Sequence, residues 1–417
     1  MVTPTIRSQT GFKLMILAIA FLIGYELPQP VSGLEVGRIS VLYVGCYQRS
    51  APFMFMRSDP LFSIQYVEAS LRGSHVTSGG EVTGESPEIV VRRIVRLYMP
   101  RSYSDLTSRF DVMVFANANR DAVGPTNIEM LARGAGEGGI GLLMIGGAES
   151  FGGTNYPAWG DTAIGRLLPT EDVIGTWVED GRLVIDRPDN DFIHSLPWDP
   201  SQPFMNSFHH NLVTVKLGAE LLGHVEPVAF KFEDHPGMVT WQLENGPRAF
   251  AFMGDIMYAY DWDYCVDLGC NLLIYIDGLA VPQDYVLVHR VRSTMQHVAG
   301  RKSALRSLLD FCESFGANTR RLYDEIGEVD AVGAEAGTLY LELRFQDVLD
   351  RYEEVEEMLT KVERHAVVLK STALAWVYVV EWLAVTGASL ACGFVLWTFM
   401  VRRVLYRHVR TTRHGPV

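Results

Sequence analysis

Gly138-Gly139-Ile140-Gly141-Leu142-Leu143-Met144-Ile145-Gly146-Gly147-Ala148-Glu149-Ser150-Phe151-Gly152-Gly153 decides how the rest of the chain is read. A short apolar run, Ile140 to Ile145, is bounded by glycine on both sides. Apolar character without alternation over so few residues predicts a strand buried on both faces, as in a parallel sheet. The glycines that follow let the backbone turn sharply at the strand's carboxyl end. In open α/β sheets ligands sit at that end, which makes Gly146, Gly147, Glu149 and Ser150 candidate ligand-binding residues. The alternative is a tight strand-to-loop connection that binds nothing.

Working outward, Asp111 to Ala116 predicts a second buried strand and Pro125 to Glu137 the helix between the two, with Thr126 as cap and Glu129 three residues on. Strand, helix, strand in this order implies a parallel crossover. Ile39 to Gly45 and Ile64 to Glu68 read as the first two strands. Residues 72 to 88, rich in Gly, Ser, Thr and Glu, read as an exposed loop, and residues 171 to 210, dense in Asp, Pro and His, as an irregular insertion. Val239 to Leu243 and Arg248 to Met253 flank Asn245-Gly246, a hairpin signal. Cys270 to Gly278 would close the domain as a helix.

From about Tyr285 the pattern becomes helical. Leu305 to Ile326 and Leu341 to Val362 each carry an apolar stripe with spacings alternating near 3 and 4, as in a coiled coil. A turn at Ala331 to Gly337 would fold them into an antiparallel hairpin, which could also mediate homo-oligomerisation.

Both ends carry membrane signals. Arg7 and Lys13 precede the apolar run Leu14 to Gly24, and Val31-Ser32-Gly33 offers small residues for cleavage. This predicts a signal peptide, with an uncleaved anchor as the alternative. Ala373 to Val401 carries a single charge, Glu381, which the span starting at Trp382 would leave at the outer interface. At ~1.5 Å per residue the run exceeds the ~30 Å hydrocarbon core. Arg402, Arg403, Arg407, Arg410 and Arg413 follow, so the positive-inside rule places the C-terminus in the cytoplasm and the body outside. The formal net charge of -13 argues against nucleic acid as a partner. The five cysteines form no CxxC pair, so a zinc site is not expected.

The succession Phe110-Asp111-Val112-Met113-Val114-Phe115-Ala116, the helical stretch to Glu137, Gly-Gly-x-Gly-Leu-Leu-Met-Ile-Gly-Gly-x-x-Ser-Phe-Gly and Leu167-Leu168-Pro169 resembles the glutamine-amidotransferase-like family of flavodoxin-like α/β domains. The resemblance covers roughly Ile39 to Ala280. It implies a flavodoxin-like parallel sheet, followed here by the helical hairpin and one transmembrane helix. The expected organisation is signal peptide 1–33, α/β domain 34–282, hairpin stalk 283–371, transmembrane helix 372–401 and basic cytoplasmic tail 402–417.

In the amidotransferases proper a cysteine nucleophile sits on a sharp turn after a strand, and a histidine with an acidic residue completes the triad. The resemblance places Gly146 where that cysteine would be and Gly254-Asp255-Ile256 where the histidine segment would be. Without nucleophile and base, covalent acyl transfer has no route through this site. Cys46, following the first strand, is the surviving nucleophile candidate and would need a basic partner such as His75, His209, His210 or His235; otherwise it is a small buried core residue. Glu149 and Asp255 could form a carboxylate pair at the sheet edge. His194, His209, His210 and Asp191 match no metal-site spacing. The expectation is a membrane-anchored extracytoplasmic binding or scaffold protein on a catalytically inactive domain, without cofactor, with the bilayer and a membrane or envelope protein as partners. The alternatives are an extracytoplasmic hydrolase using Cys46 or a carboxylate pair, and a structural envelope component.

Overall fold

Runs such as Val112-Met113-Val114-Phe115-Ala116, in which no side chain can face water without loss, are placed at the centre of a sheet covered on both sides. They appear there in a computed structural model that describes residues 37–46, 53, 56, 59–71, 88–152, 158–178, 181–227 and 234–411. The expected signal segment 1–33, residues 72–87 of the expected loop, including His75, and the tail beyond Thr411 lie outside the described residues. The chain divides into a unit Met1–Arg38, of which Gly37 and Arg38 are described, and a unit Ile39–Val417.

In chain order the second unit contains β1 (Ile39–Gly45), β2 (Phe62–Glu68), α1 (Glu88–Tyr98), α2 (Tyr103–Thr107), β3 (Val112–Ala116), α3 (Arg120–Val123), α4 (Pro125–Gly136), β4 (Gly141–Ile145), α5 (Ala163–Leu167), β5 (Thr170–Val178) and β6 (Gly181–Ile185). It continues through α6 (Asp191–His194), α7 (Pro203–Asn206), β7 (His210–Val215), β8 (Glu220–Pro227), β9 (His235–Gln242), β10 (Arg248–Phe252), a 3-10 turn (Ile256–Asp261), α8 (Cys265–Ile276), α9 (Tyr285–Ser314), α10 (Arg320–Leu341) and α11 (Phe345–Thr411). An eight-stranded sheet has the order β2-β1-β3-β4-β10-β9-β8-β6, and β5 pairs with β7 in a separate two-stranded sheet. The first five strands of that order are parallel neighbours. The last three are added antiparallel.

Every residue of β3 and β4 is buried. Alternate side chains go to opposite faces: Val112, Val114 and Leu143 join one apolar cluster with Leu268 and Leu272 of α8, while Met113, Phe115, Leu142 and Met144 join another with Val95 of α1 and Leu131 of α4. Cover on both faces is what the unbroken apolar runs required. Helix α4 starts differently from expectation. Gly124, at φ 83, holds the cap position and Pro125 the first turn, which leaves Thr126 inside the helix. The Asn245-Gly246 hairpin is present between β9 and β10, with the Leu243 amide bonded to Pro247 O at 2.8 Å.

Residues 171 to 210 are a correction to the sequence reading. They hold β5, β6 and two short helices, and β6 forms the last strand of the large sheet. Their Asp, Pro and His residues concentrate in the joints, and this concealed the short apolar alternation of Leu183 and Ile185.

The helical region also departs from the expected hairpin. Ala331 to Gly337 is not a turn but lies within α10. The reversals fall at Phe315–Thr319, where Gly316 has φ 78, and at Glu342–Arg344, where Leu343 has φ 58. Gly333 and Gly337 each cost the helix about 1 kcal/mol of propensity, but Val329, Ala336 and Tyr340 of the same helix are buried and hold it together. Helices α9 and α10 both pack against α11, so three helices replace two arms. Buried Val348, Tyr352, Val355, Leu359, Val362 and Ala366 recur every three or four residues along α11. Past Ala373 its apolar residues, among them Trp376, Trp382 and Trp397, are exposed. Helix α11 runs 67 residues without interruption, about 100 Å at ~1.5 Å per residue, and is long and apolar enough to cross a membrane.

A buried polar network joins the helices to the sheet domain. Arg292 of α9 donates through Nη1 to Asp267 Oδ1 (2.8 Å) and Asn271 Oδ1 (2.9 Å) of α8, and through Nε to the Tyr340 hydroxyl of α10 (2.9 Å). That hydroxyl donates to Asp59 Oδ2 at 2.9 Å.

Candidate functional site

The carboxyl ends of the five parallel strands bring Cys46, Glu68 to Ser70, Asn117 to Asn119, Gly146 to Ser150 and Asp255 to one edge. The β4 end is built by close backbone approach. The Gly146 amide donates to Phe252 O at 2.7 Å. A Cβ on Gly146 would overlap the Met253 carbonyl oxygen and come within 2.6 Å of its carbon. Gly147 has φ +152, and a Cβ there would lie 2.6 Å from Asn117 Oδ1. Glycine is required at both positions.

Two asparagines fasten this loop. Asn117, at φ 48, occupies the left-handed region that asparagine tolerates. Its Oδ1 accepts from Glu149 N (2.9 Å) and its own amide donates to Ser150 Oγ (3.0 Å). Its Nδ2 is buried and, among the described residues, has no hydrogen-bond partner. Asn211, entering β7, accepts from Gly147 N (2.9 Å) and donates to Gly147 O (3.1 Å) and Ser150 O (3.3 Å). Ser150 is therefore held as a buried structural hydroxyl.

Glu149 is 1% exposed. Its carboxylate accepts from Leu71 N (3.0 Å), from Asn119 Nδ2 (2.9 Å) and from the Ser70 hydroxyl. This is the provision a buried anion needs. The acidic group that feels its charge is Glu68. Burial pushes the Glu68 carboxyl up to about 7, against the lowering effect of hydrogen bonds from Tyr66 and from Ser70 N, and the Glu149 charge adds to the rise. The sequence reading placed neither Glu68 nor Asn117 in the site. Their signal was positional, since each lies at the carboxyl end of a strand that the reading had placed.

The other expected residues are distributed around the same edge. Cys46 is fully buried, and its amide donates to Ala116 O at 2.8 Å. Half-buried Asp255 donates its amide to His209 O at 3.1 Å. His210 is bridged to Gly254 beside it. Its Nδ1 lies 2.9 Å from Phe208 O, so Nδ1 carries the proton, and its Nε2 lies 3.1 Å from His235 Nδ1. Burial lowers the His210 pKa to about 4, so the ring is neutral at pH 7. His194 is elsewhere, 2.6 Å from Gln283 Oε1. Among the described residues no group of three or more His, Cys, Asp and Glu is arranged to hold a metal ion.

No family model, curated protein or solved structure matches the chain. A cysteine or serine at Gly146 is sterically excluded, and the remaining polar groups are mostly engaged with one another. At this edge the Glu68 carboxyl is half-buried and protonated in part at neutral pH, whereas Asn117 Nδ2 is enclosed beyond a ligand's reach.

Proposed function

We propose that the chain is a membrane-anchored, extracytoplasmic binding or scaffold protein whose flavodoxin-like, amidotransferase-like domain is catalytically silent. The observation that carries this reading is the close approach of Gly146 to the Met253 carbonyl. An elbow nucleophile there would need a Cβ, and the backbone leaves no space for one. The parallel strand order β2-β1-β3-β4-β10 supports the flavodoxin-like assignment, since it follows the 2-1-3-4-5 pattern of that class. The arginine cluster after Val401 supports a cytoplasmic C-terminus. The three packed helices serve as the stalk, and a membrane or envelope protein is the partner through which binding would act.

The test is ammonia release from glutamine by the purified full chain in detergent. Turnover no faster than the buffer blank is expected. Turnover that disappears in Cys46→Ala overturns the reading.

A second reading rests on Glu68. A carboxyl near 7 beside a second buried carboxyl group, Glu149, is the kind of pairing that acid-base hydrolases use. It requires hydrolysis of an extracellular substrate that Glu68→Gln abolishes.

A further inference from the structure

The end of the stalk nearest the exposed apolar segment of α11 carries a surface of its own, and ion pairs fix where it lies. Along α9, His297 meets Glu356 of α11 at 3.4 Å and Arg301 meets Glu363 at 2.7 Å, partners 59 and 62 residues apart in the chain. Positions rise together, so α9 and α11 run parallel. The same offsets set Phe311 level with residues 370–373 and Phe315 level with residues 374–377. Along α10, Glu335 meets Arg351 at 3.7 Å and Glu325 meets His365 at 3.0 Å. That helix runs the other way. Arg320 precedes Glu325 by about 7 Å of helix at ~1.5 Å per residue, which carries it past His365 toward Ala373. Both routes bring the reversal between α9 and α10 to the start of the exposed apolar segment. Ala373 is 6% exposed and Trp376 64%, so the cover given by the other helices ends within that turn.

The reversal presents apolar and cationic groups together. Phe311 and Phe315 form an edge-on pair with ring centroids 4.8 Å apart, and each is 41% exposed. Around them Arg320, Arg364 and Lys370 are exposed, and no carboxylate among the described residues pairs with any of the three. The other charges at this level are engaged: Arg321 pairs with Glu325, and Glu313 accepts from the Thr319 hydroxyl. On a chain of formal net charge -13, three unpaired cations at one end of the stalk are complementary to anionic headgroups. Continuity names the same occupant, since this surface adjoins a segment long and apolar enough to cross a membrane. Aromatic rings bordered by Lys and Arg suit a lipid interface, where the rings leave water and the charges stay among phosphates. We infer that the α9–α10 reversal seats on the bilayer surface, with Phe311 and Phe315 in the headgroup layer and Arg320, Arg364 and Lys370 on lipid phosphates. This rests on the reading of α11 as a membrane helix. A single spanning helix is free to tilt. A second contact beside it makes a two-point attachment and holds the α/β domain at one inclination to the membrane.

The experiment is spin labelling of the full chain in phosphatidylcholine vesicles. Collision rates are read with oxygen, which partitions into the bilayer, and with a nickel chelate, which stays in water. Labels are placed on native Cys392, the exposed cysteine, and on Phe315→Cys, Phe311→Cys and Asp350→Cys in a Cys392→Ser background. The oxygen-to-nickel ratio at 315 and 311 should fall between a high value at 392 and a low value at 350. It should rise when phosphatidylglycerol replaces part of the phosphatidylcholine. Arg320→Gln, Arg364→Gln and Lys370→Gln together should abolish that rise. A ratio at both phenylalanine positions equal to that at 350 overturns the inference while leaving α11 in the membrane. So does slow collision with both reagents, which marks a protein neighbour on the pair, or a ratio indifferent to the anionic lipid and to the triple substitution. A low ratio at Cys392 overturns the membrane anchoring itself, and the inference with it.

Discussion

The Arg292 guanidinium meets Asp267 Oδ1 at 2.8 Å with both residues only 3% exposed. Burying two charges is costly, and they are tolerated here because Asn271 and Tyr340 take up further N–H groups of Arg292, His289 meets Asp267 Oδ2 at 2.7 Å, and Tyr340 in turn bonds Asp59. The pair spans the junction between α8, under the sheet, and α9, the first helix of the stalk. Removing one partner leaves the other charged and buried. Arg292→Ala is therefore expected to cost about 3–5 kcal/mol, read from urea unfolding. Because Asp59 Oδ2 also lies 3.6 Å from Arg292 Nε, the triple variant Arg292→Met, Asp267→Leu, Asp59→Asn should recover a large part of that loss, and equal destabilisation in both proteins would refute the account.

Gly146→Ala tests the closed elbow. Its Cβ must displace the Met253 carbonyl, which is backbone. Overpacking of this kind costs about 1–3 kcal/mol. The control is Gly300→Ala in α9, where a Cβ would meet nothing within 4 Å and helix propensity should give about 1 kcal/mol of stabilisation. The two substitutions should shift the melting temperature in opposite directions.

Two groups on the edge make opposite contributions to stability with pH. Glu68 is raised from 4.5 to about 7 in the folded protein. Its contribution is complete below about pH 4.5 and is lost as pH rises through 7. His210 is lowered from 6.5 to about 4. Its contribution is complete above about pH 6.5 and is lost as pH falls through 4. Relative to the parent, Glu68→Gln should become more stable as pH rises from 4.5 to 7, whereas His210→Gln should become more stable as pH falls across its window. Denaturant midpoints measured at several pH values would show whether the two differences run in opposite directions.

Leu359 of α11 is fully buried against the other helices. Leu359→Ala should destabilise the protein by about 2–5 kcal/mol, whereas Leu390→Ala, at a position 70% exposed, should leave the unfolding of the detergent-solubilised body unchanged. Equal effects would mean that the stalk does not pack as described.

Topology is tested on whole cells. Protease added outside should remove the body and spare a short C-terminal fragment bearing the arginine cluster. Protection of the whole chain would reverse the proposed orientation.

The central strands were legible because burial on two faces leaves an unmistakable record, as in Val112 to Ala116 and Gly141 to Ile145. The Asn245-Gly246 hairpin was legible because its turn chemistry is local. The three-helix arrangement was not. Gly333 and Gly337 suggest a turn when only propensity is weighed, and the burial of Ala336 and Tyr340 that overrides them depends on partners distant in sequence. The same limit hid Glu68. Its unusual carboxyl follows from burial and from Glu149, which lies 81 positions away (149 − 68), and no short window of sequence contains both. Glycine at position 146 was visible as a missing nucleophile, but the carbonyl that forbids any replacement is that of Met253, just past the end of β10.

The uninterrupted α11 also sets a phase. A helix advances about 100° per residue and rises ~1.5 Å, so the face that Ala366 turns toward the stalk fixes which side of Trp382 and Trp397 points in which direction. One residue inserted between Ala366 and Ala373 would swing the whole apolar segment by about 100° about its axis without altering its composition. The azimuth of the exposed apolar surface is thereby set by the packing of Val362 and Ala366 against the neighbouring helices.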